Sequence, residues 1–321
     1  MNNEVIYKEA DDHESKNCLK LLLKYYKNYN LSKQSIEWEH YRNPFGKPKI
    51  YIAQYRNELI GQIINIPFKF QDHEKTYGGF RTQDLITDTQ LIRKEIRSGL
   101  KIPRKNGLGI CSNLMSISNV FLDKNDFAIG FPNEKSLPFC ERSQWDTSCD
   151  IPLFIKNIDR ESNCKLKYEL IDEFKDIHKE IWQKNIGNKV DIFRSKEYLN
   201  WRYFLNPKAK YKVFEIKNNF KSIGYIVLKK HLLENNIMIG HICEFVCEDE
   251  YINDVIQFSI SYFSSLSIRK FTMWEMDSEK LFLKNFGFKN IVLKNRKFTR
   301  RGKKKTMKKD WRLSMSYSDV Y

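Results

Sequence analysis

Trp38-Glu39-His40-Tyr41-Arg42-Asn43-Pro44 and Trp201-Arg202-Tyr203-Phe204-Leu205-Asn206-Pro207 spell one pattern, W-x4-N-P, 163 residues apart. The same offset carries Gly61 onto Gly224. Each glycine sits between strand-like runs, YIAQYRNELIGQIINI (51–66) and YKVFEIKNNFKSIGYIVL (211–228). Both stretches read as hairpins, with polar turn residues between alternating apolar segments. Four landmarks agreeing at one offset mark an internal duplication.

Further along, the offset changes. Phe127–Lys135 parallels Phe271–Lys280 at 144 to 145 residues, so the first half holds about 18 extra residues within 75–110. Patterning predicts strands at 5–8 and 80–87, helices at 12–29 and 110–118, a strand at 127–130 and a helix at 134–142. The order repeats from Tyr168, with 157–165 as linker. Strands alternating with helices in this way predict two α/β domains, residues 1–156 and 166–321.

The 321-residue length suits two domains, and 41% hydrophobic with 14% aromatic residues excludes a disordered chain. No apolar run approaches the ~20 residues of a bilayer span, so an integral membrane protein is not expected. The polar, acidic start is no signal peptide. Seven cysteines without a CxxC pair point to reduced thiols in a cytoplasmic protein. Cys243 and Cys247, with His241 nearby, read as strand residues, and no metal site is expected.

The formal charge of +16 is local: without the ten Lys and Arg between Lys294 and Lys309 it falls to +6. That segment reads as a solvated hairpin loop, with a patch for anionic lipid or polyphosphate as the sharper alternative. Neither aromatic interleaving nor a recognition helix accompanies it, which argues against DNA.

Pro103-Arg104-Lys105-Asn106-Gly107-Leu108-Gly109-Ile110 opens an apolar helix. Free N–H groups and the positive end of a helix dipole make such a start an anion site. Glycines let the backbone approach a pyrophosphate closely. Arg104–Gly109 resembles the Q/R-x-x-G-x-G/A pyrophosphate loop of the GNAT acetyltransferases, preceded by a strand as in that family. Asn133 begins a stretch similar to the family's second signature, N-x6-Y-x3-G-F. Its closing Gly-Phe is replaced here by Ser143-Gln144-Trp145, but the repeat keeps Phe286-Gly287-Phe288.

The resemblance implies an α/β fold of two tandem GNAT-like domains, each a twisted mixed sheet flanked by helices. It also implies an acyl-CoA-dependent N-acyltransferase. Acyl-CoA would lie against Arg104, Lys105, Asn106, Gly107, Leu108, Gly109 and Ile110, with Asn133 bonding the pantetheine arm. The amides of Leu85, Ile86 and Thr87 would serve pantetheine and oxyanion. Asp84 is the candidate general base and Asp88 the second choice. The family's general-acid tyrosine falls on Cys140, which leaves that role between a proton-donating thiol and a core residue. His73, in a turn, is a weaker base, and Trp38 and Trp201 read as repeated core residues. The second half has acidic EDEYINDVIQF (248–258) where the glycine loop would be, so a pyrophosphate would be repelled.

Within the family, the chain resembles enzymes that acylate nucleotide-linked amino-dideoxysugars for surface polysaccharides, from acetyl-CoA or 3-hydroxybutyryl-CoA. Arg93, Lys94, Arg97 and Lys101 would then belong to a lid or a solvated surface. Two other readings stay open: an aminoacyl-tRNA-dependent transferase of the Fem type, which the basic cluster would suit, and a non-catalytic acyl-CoA-binding protein. A homodimer is also left open.

Overall fold

The computed structural model describes residues 4–25, 32–97, 109–159, 163–233, 235–274, 283, 286–303 and 309–318. The chain forms two compact units. The first gathers Met1–Lys69, Tyr77–Asp150 and Asn295–Lys308; the second gathers Phe70–Thr76, Ile151–Lys294 and Lys309–Tyr321.

In the first unit, β1 (Ile6–Glu9), β2 (Lys49–Tyr55), β3 (Glu58–Gln71), β4 (Thr76–Thr87) and β5 (Phe127–Gly130) stand side by side in that order. β4 and β5 run parallel, and residues 299–302 pair antiparallel with β5. Helices α1 (Asp12–Tyr25), α2 (Lys33–Tyr41), α3 (Thr89–Arg97), α4 (Ile110–Leu122) and α5 (Leu137–Arg142) flank this mixed sheet. α1 buries Cys18, Leu21 and Leu22 at helical spacing and carries Asp12 and Glu14 in its first turn, where acids favour the dipole. α4 buries Ile110, Leu114, Met115 and Leu122, packing them with Tyr51, Ala53 and Ile63 of the sheet.

The second unit repeats the plan. β6 (Asp146–Asn157, from Ile151 on) pairs with β12 (Lys270–Trp274). Then follow β11 (Met238–Val246), β10 (Lys221–Leu232), β9 (Tyr211–Asn218) and β7 (Lys167–Ile171). β11 and β12 are the parallel pair. Its helices are α6 (Asp176–Asn185), α7 (Lys196–Tyr203) and α8 (Ile252–Ser265), and the short β8 (Asp191–Ile192) pairs with Phe70 and Gln71.

The duplication extends to single bonds. Ser32 and Ser195 each cap a helix by accepting from the amide three residues on, Ser35 and Tyr198. Trp38 and Trp201 are both buried in those helices. Asn43 and Asn206 each accept from the amide two residues ahead, closing the same turn. Both hairpins break register at one place, skipping Ile60 and Ile223. There the glycines matter: a Cβ on Gly61 would sit 3.1 Å from a Leu114 methyl and 3.2 Å from the Ile86 carbonyl. One on Gly224 would sit 2.4 Å from the Val246 carbonyl.

Up to Gly302 the basic C-terminal segment differs from the solvated loop expected of it, while residues 304–308 lie outside the described residues. β13 (Lys289–Gly302) is a strand, with Phe298 and Thr299 fully buried. Lys297 pairs with Asp150 at 2.7 Å, Arg301 with Asp123 at 2.7 Å, Lys303 with Asp126 at 3.2 Å, and Arg300 with Asp146. Each partly exposed pair contributes only about 0.2–1 kcal/mol, so burial of Phe298 matters more to the strand than its charges. The acids lie more than 140 residues away in sequence, where local composition cannot reveal them. Among the described residues, no helix is long and apolar enough to cross a membrane, and no group of three His, Cys, Asp or Glu is placed to hold a metal ion. All seven cysteines are free thiols.

Candidate active site

The candidate site is organised by β4. Before residue 84, its even-numbered side chains face α4. The Phe80 ring packs on Phe121 at 4.9 Å, and Thr82 donates to Asn65 at 2.7 Å, which in turn donates to Ser118 at 2.8 Å. Arg81 and Gln83 face the opposite side: Arg81 pairs with Glu39 of α2, and its Nε donates to Gln83 at 2.9 Å. After residue 84 the parity reverses. Leu85 packs in the α4 core, Thr87 hydrogen-bonds Cys111 in the first turn of α4, and Asp88 turns to α1.

The residue at the change is Asp84, with φ of 54°. A left-handed residue inside a strand produces a bulge, and aspartate tolerates that conformation better than most residues. Its carboxylate accepts from Gln83 Nε2 at 3.0 Å, and Oδ2 lies 3.9 Å from Nε2 of His40. His40 is buried, whereas the Asp84 side chain keeps 14% of its surface. Glu39, Arg81, Gln83, Asp84 and His40 thus form one polar relay on the face away from α4.

β5 ends at Gly130, opposite Thr82, while β4 continues to Thr87. Past Thr82 the two strands no longer form a ladder, and Leu85, Ile86 and Thr87 occupy this overhanging stretch. On its far side Asp88 N donates to the Ile60 carbonyl at 2.8 Å, tying the end of β4 to β3.

α4 begins beyond this overhang. Gly109 is its N-cap, extended at φ −77° and ψ 179°, and as glycine it brings no side chain of its own to the cap. A Cβ there would meet nothing within 4 Å, so the chain's own packing does not require glycine. Ile110 is buried against the sheet. Arg104, Lys105, Asn106, Gly107 and Leu108 lie outside the described residues. In the second unit the corresponding helix, α8, follows a short turn of Asp249, Glu250 and Tyr251 with acids in its first turn.

The other expected residues have visible local work. Asp88 caps α3 by accepting from Leu91 N at 3.0 Å, and also accepts from Lys24 at 2.7 Å and Tyr25 at 2.8 Å. Burial alone would raise its pKa, but these bonds outweigh that and hold it below the usual carboxylate value. With Lys20, Lys24, Gln54, Asn57 and Leu91, Asp88 lines a cleft of about 370 Å³. Cys140 is buried beside Trp145 in the core, hydrogen-bonded with Thr299, and burial pushes its thiol up to about 12. Asn133 closes the turn that leads into α5, whose N-cap is Ser136: its Oδ1 accepts from Lys135 N and Ser136 N, both at 3.0 Å. His73 is exposed beside Glu74, 3.8 Å away.

His40, Glu39 and Gln83 are not singled out by the sequence; Arg81, which the sequence offers as a structural partner of Asp84, pairs with Glu39. His40 lies within the repeated tryptophan segment, which reads as core. Its partner is 44 residues away, across a bulge that no local pattern announces.

No protein-family model matches the sequence, and no curated protein sequence is similar to it. Solved structures share its architecture, which is the GNAT fold. A protein of Enterococcus faecalis V583 described as a probable N-acyltransferase superposes with a TM-score of 0.68 at 13% identity, over 92% of this chain and 72% of that one. A GCN5-related N-acetyltransferase from Anabaena variabilis gives 0.64 at 12%, over 93% and 72%. The Saccharomyces cerevisiae N-myristoyltransferase with bound myristoyl-CoA gives 0.55 at 10%, over 94% and 83%. At these identities the likeness is one of fold.

Proposed function

We propose that the chain is an acyl-CoA-dependent N-acyltransferase with its reaction centre in the first unit. The observation that carries this reading is the overhang of β4 beyond β5, begun by the left-handed Asp84 and followed by the N-terminus of α4 with glycine at its N-cap, Gly109. The residues fit the co-substrate. The open space at Gly109 suits close approach of a pyrophosphate to helix N–H groups, in company with Arg104–Leu108 and Ile110. The overhanging amides of Leu85, Ile86 and Thr87 suit the pantetheine arm and a developing oxyanion, and Asn133 Nδ2 suits the arm. Acyl-CoA supplies the activated thioester. Asp84 takes the proton of the attacking amine, with His40 and Gln83 orienting its carboxylate. Asp88, already engaged by three donors, serves as the fastening of α3.

For the acceptor we infer a nucleotide-linked amino-dideoxysugar, acylated with acetyl or 3-hydroxybutyryl groups. Support comes from the resemblance carried by W-x4-N-P and Gly130-Phe131-Pro132-Asn133. The tRNA alternative loses weight, because Lys297, Arg300, Arg301 and Lys303 are committed to ion pairs.

Gly109→Asp tests the cofactor site. Aspartate is a better N-cap than glycine and sits well against the helix dipole, so thermal stability should hold or rise slightly. Acetyl-CoA and 3-hydroxybutyryl-CoA should stabilise the parent against heating and fail to stabilise this variant. Equal ligand-induced shifts in both proteins would remove the site from α4. Asp84→Asn should lower turnover by about 10²–10⁴-fold, with acyl-CoA affinity unchanged. Thiol release across a panel of nucleotide-linked amino sugars reads out both turnover and acceptor.

A further inference from the structure

We propose that one face of strands β9–β12 in the second unit binds a phosphate group, with Lys229 and His231 as its donors. Lys229 of β10 pairs across the sheet with Tyr211 of β9 and with His241 of β11, and His241 pairs in turn with Thr272 of β12. These four side chains form one row on one face. His231, two residues after Lys229, stands on the same face, as does Lys270, two residues before Thr272. The rings of His231 and His241 lie 5.5 Å apart, and the Lys229 ammonium lies 6.0 Å from the centre of the Tyr211 ring.

The patch has a fixed floor and an accessible rim. His241 and Thr272 are each 4% exposed, and Nδ1 of His241 lies 2.7 Å from the Thr272 hydroxyl, which sets the ring's orientation. The Tyr211 hydroxyl accepts from Arg202 of α7 at 3.2 Å. Lys229 is half-buried, while His231 and Lys270 are exposed. A ligand can therefore reach His231 from solvent and meet beside it an ammonium partly withdrawn from water.

The charges here have one sign. Strands β9–β12 carry two acids, Glu215 and Glu244, and both are engaged elsewhere: Glu215 by Lys217 at 3.1 Å and Glu244 by Arg194 at 2.7 Å. No carboxylate of a described residue pairs with Lys229, His231 or Lys270. Burial, with the Arg202 guanidinium as a further cation, holds the Lys229 ammonium below the ordinary lysine value. Burial and Lys229 lower His231, while burial, Lys229 and His231 bring His241 down to about 3. The Cys243 thiol, pushed up to about 12 by burial, stays protonated and adds no countercharge. An ammonium partly desolvated among other cations is unfavourable unless an anion joins it. A metal cation would be repelled by Lys229. A phosphate presents more oxygens and more charge than a carboxylate, which suits donors brought together from neighbouring strands.

Calorimetric titration and thermal unfolding of the full chain, at constant ionic strength, test the site. Orthophosphate and sulfate should bind the parent and raise its unfolding midpoint. Lys229→Gln should weaken that binding by about tenfold or more, whereas Lys229→Arg should keep it. Without added anion, Lys229→Gln should unfold at or above the parent's midpoint, because it removes an uncompensated cation. Sulfate keeps its charge from about pH 8 to about pH 6, so its binding should tighten over that fall as His231 gains a proton, and His231→Gln should abolish this pH dependence. Parallel titrations with orthophosphate and ADP assign the source: the ligand whose Lys229-dependent binding is tighter is a free anion or a phosphate carried by a nucleotide. Anion binding that survives unchanged in Lys229→Gln would mean an adventitious ion only and would overturn the proposal, as would no binding to the parent. Binding that appears only in Glu234→Gln or Asp319→Asn would also overturn it, because one of those acids, both outside the described residues, would then hold Lys229.

Discussion

Cys140 and Asp84 carry opposite lessons about single residues. A thiol pushed up to about 12 inside an apolar core holds its proton too tightly to meet a departing thiolate, and it already has Thr299 as partner. On this reading Cys140→Ala leaves turnover within about twofold while lowering stability by about 1 kcal/mol. Steady-state rates and urea unfolding of the same preparation separate the two effects. A turnover loss with unchanged stability would instead return Cys140 to the role of acid. Asp84 is held in a left-handed conformation that costs of order 1–3 kcal/mol, and its carboxylate remains partly exposed. A strained, partly open carboxylate in a strand is poorly explained by packing alone.

At the scale of elements, Asp88 ties three pieces together: the end of α1 through Lys24 and Tyr25, the end of β4, and the first turn of α3. Its folded pKa lies below the ordinary value. The stabilisation is therefore complete above the unfolded-state pKa of about 3.9 and is lost as pH falls through the folded value. Asp88→Asn should lower urea stability by about 1–2 kcal/mol at neutral pH. The difference between parent and variant should shrink as pH drops below about 4. A difference independent of pH would show that packing, not charge, fastens α3. Several elements could be read in advance because their signals are local: the hairpins around Gly61 and Gly224, and β5 at 127–130. The bulge at Asp84 is illegible in the sequence, because the strand on either side of it is held by non-local partners, Asn65 and Gly130 for Thr82 and Ile60 for Asp88.

The molecule as a whole follows the duplication in plan but not in connectivity. Each sheet has the same strand order, and each core is centred on one long helix, α4 or α8. Yet the first unit takes in Asn295–Lys308, while the second takes in Ile151 onward and regains the chain at Lys309. The last stretch is held by buried groups. Arg202 donates to the Ser316 and Ser318 carbonyls, Tyr317 donates to Asp191 at 2.6 Å, and Trp311 packs on Phe70. A linker-like composition at 157–165 marks where the repeat restarts, but it says nothing about which strand completes which sheet. The consequence can be measured. A fragment of residues 1–156 lacks Phe298, Thr299 and the strand that pairs with β5, so it exposes an unsatisfied sheet edge. It should be aggregated or unfolded when expressed alone. Co-expression with residues 157–321 should restore a soluble complex that is stabilised by acetyl-CoA, because the missing strand is then supplied in trans. If the fragment alone gave a cooperative thermal transition and the same acetyl-CoA shift as the full chain, β13 would be an accessory to the first unit and not a member of its sheet.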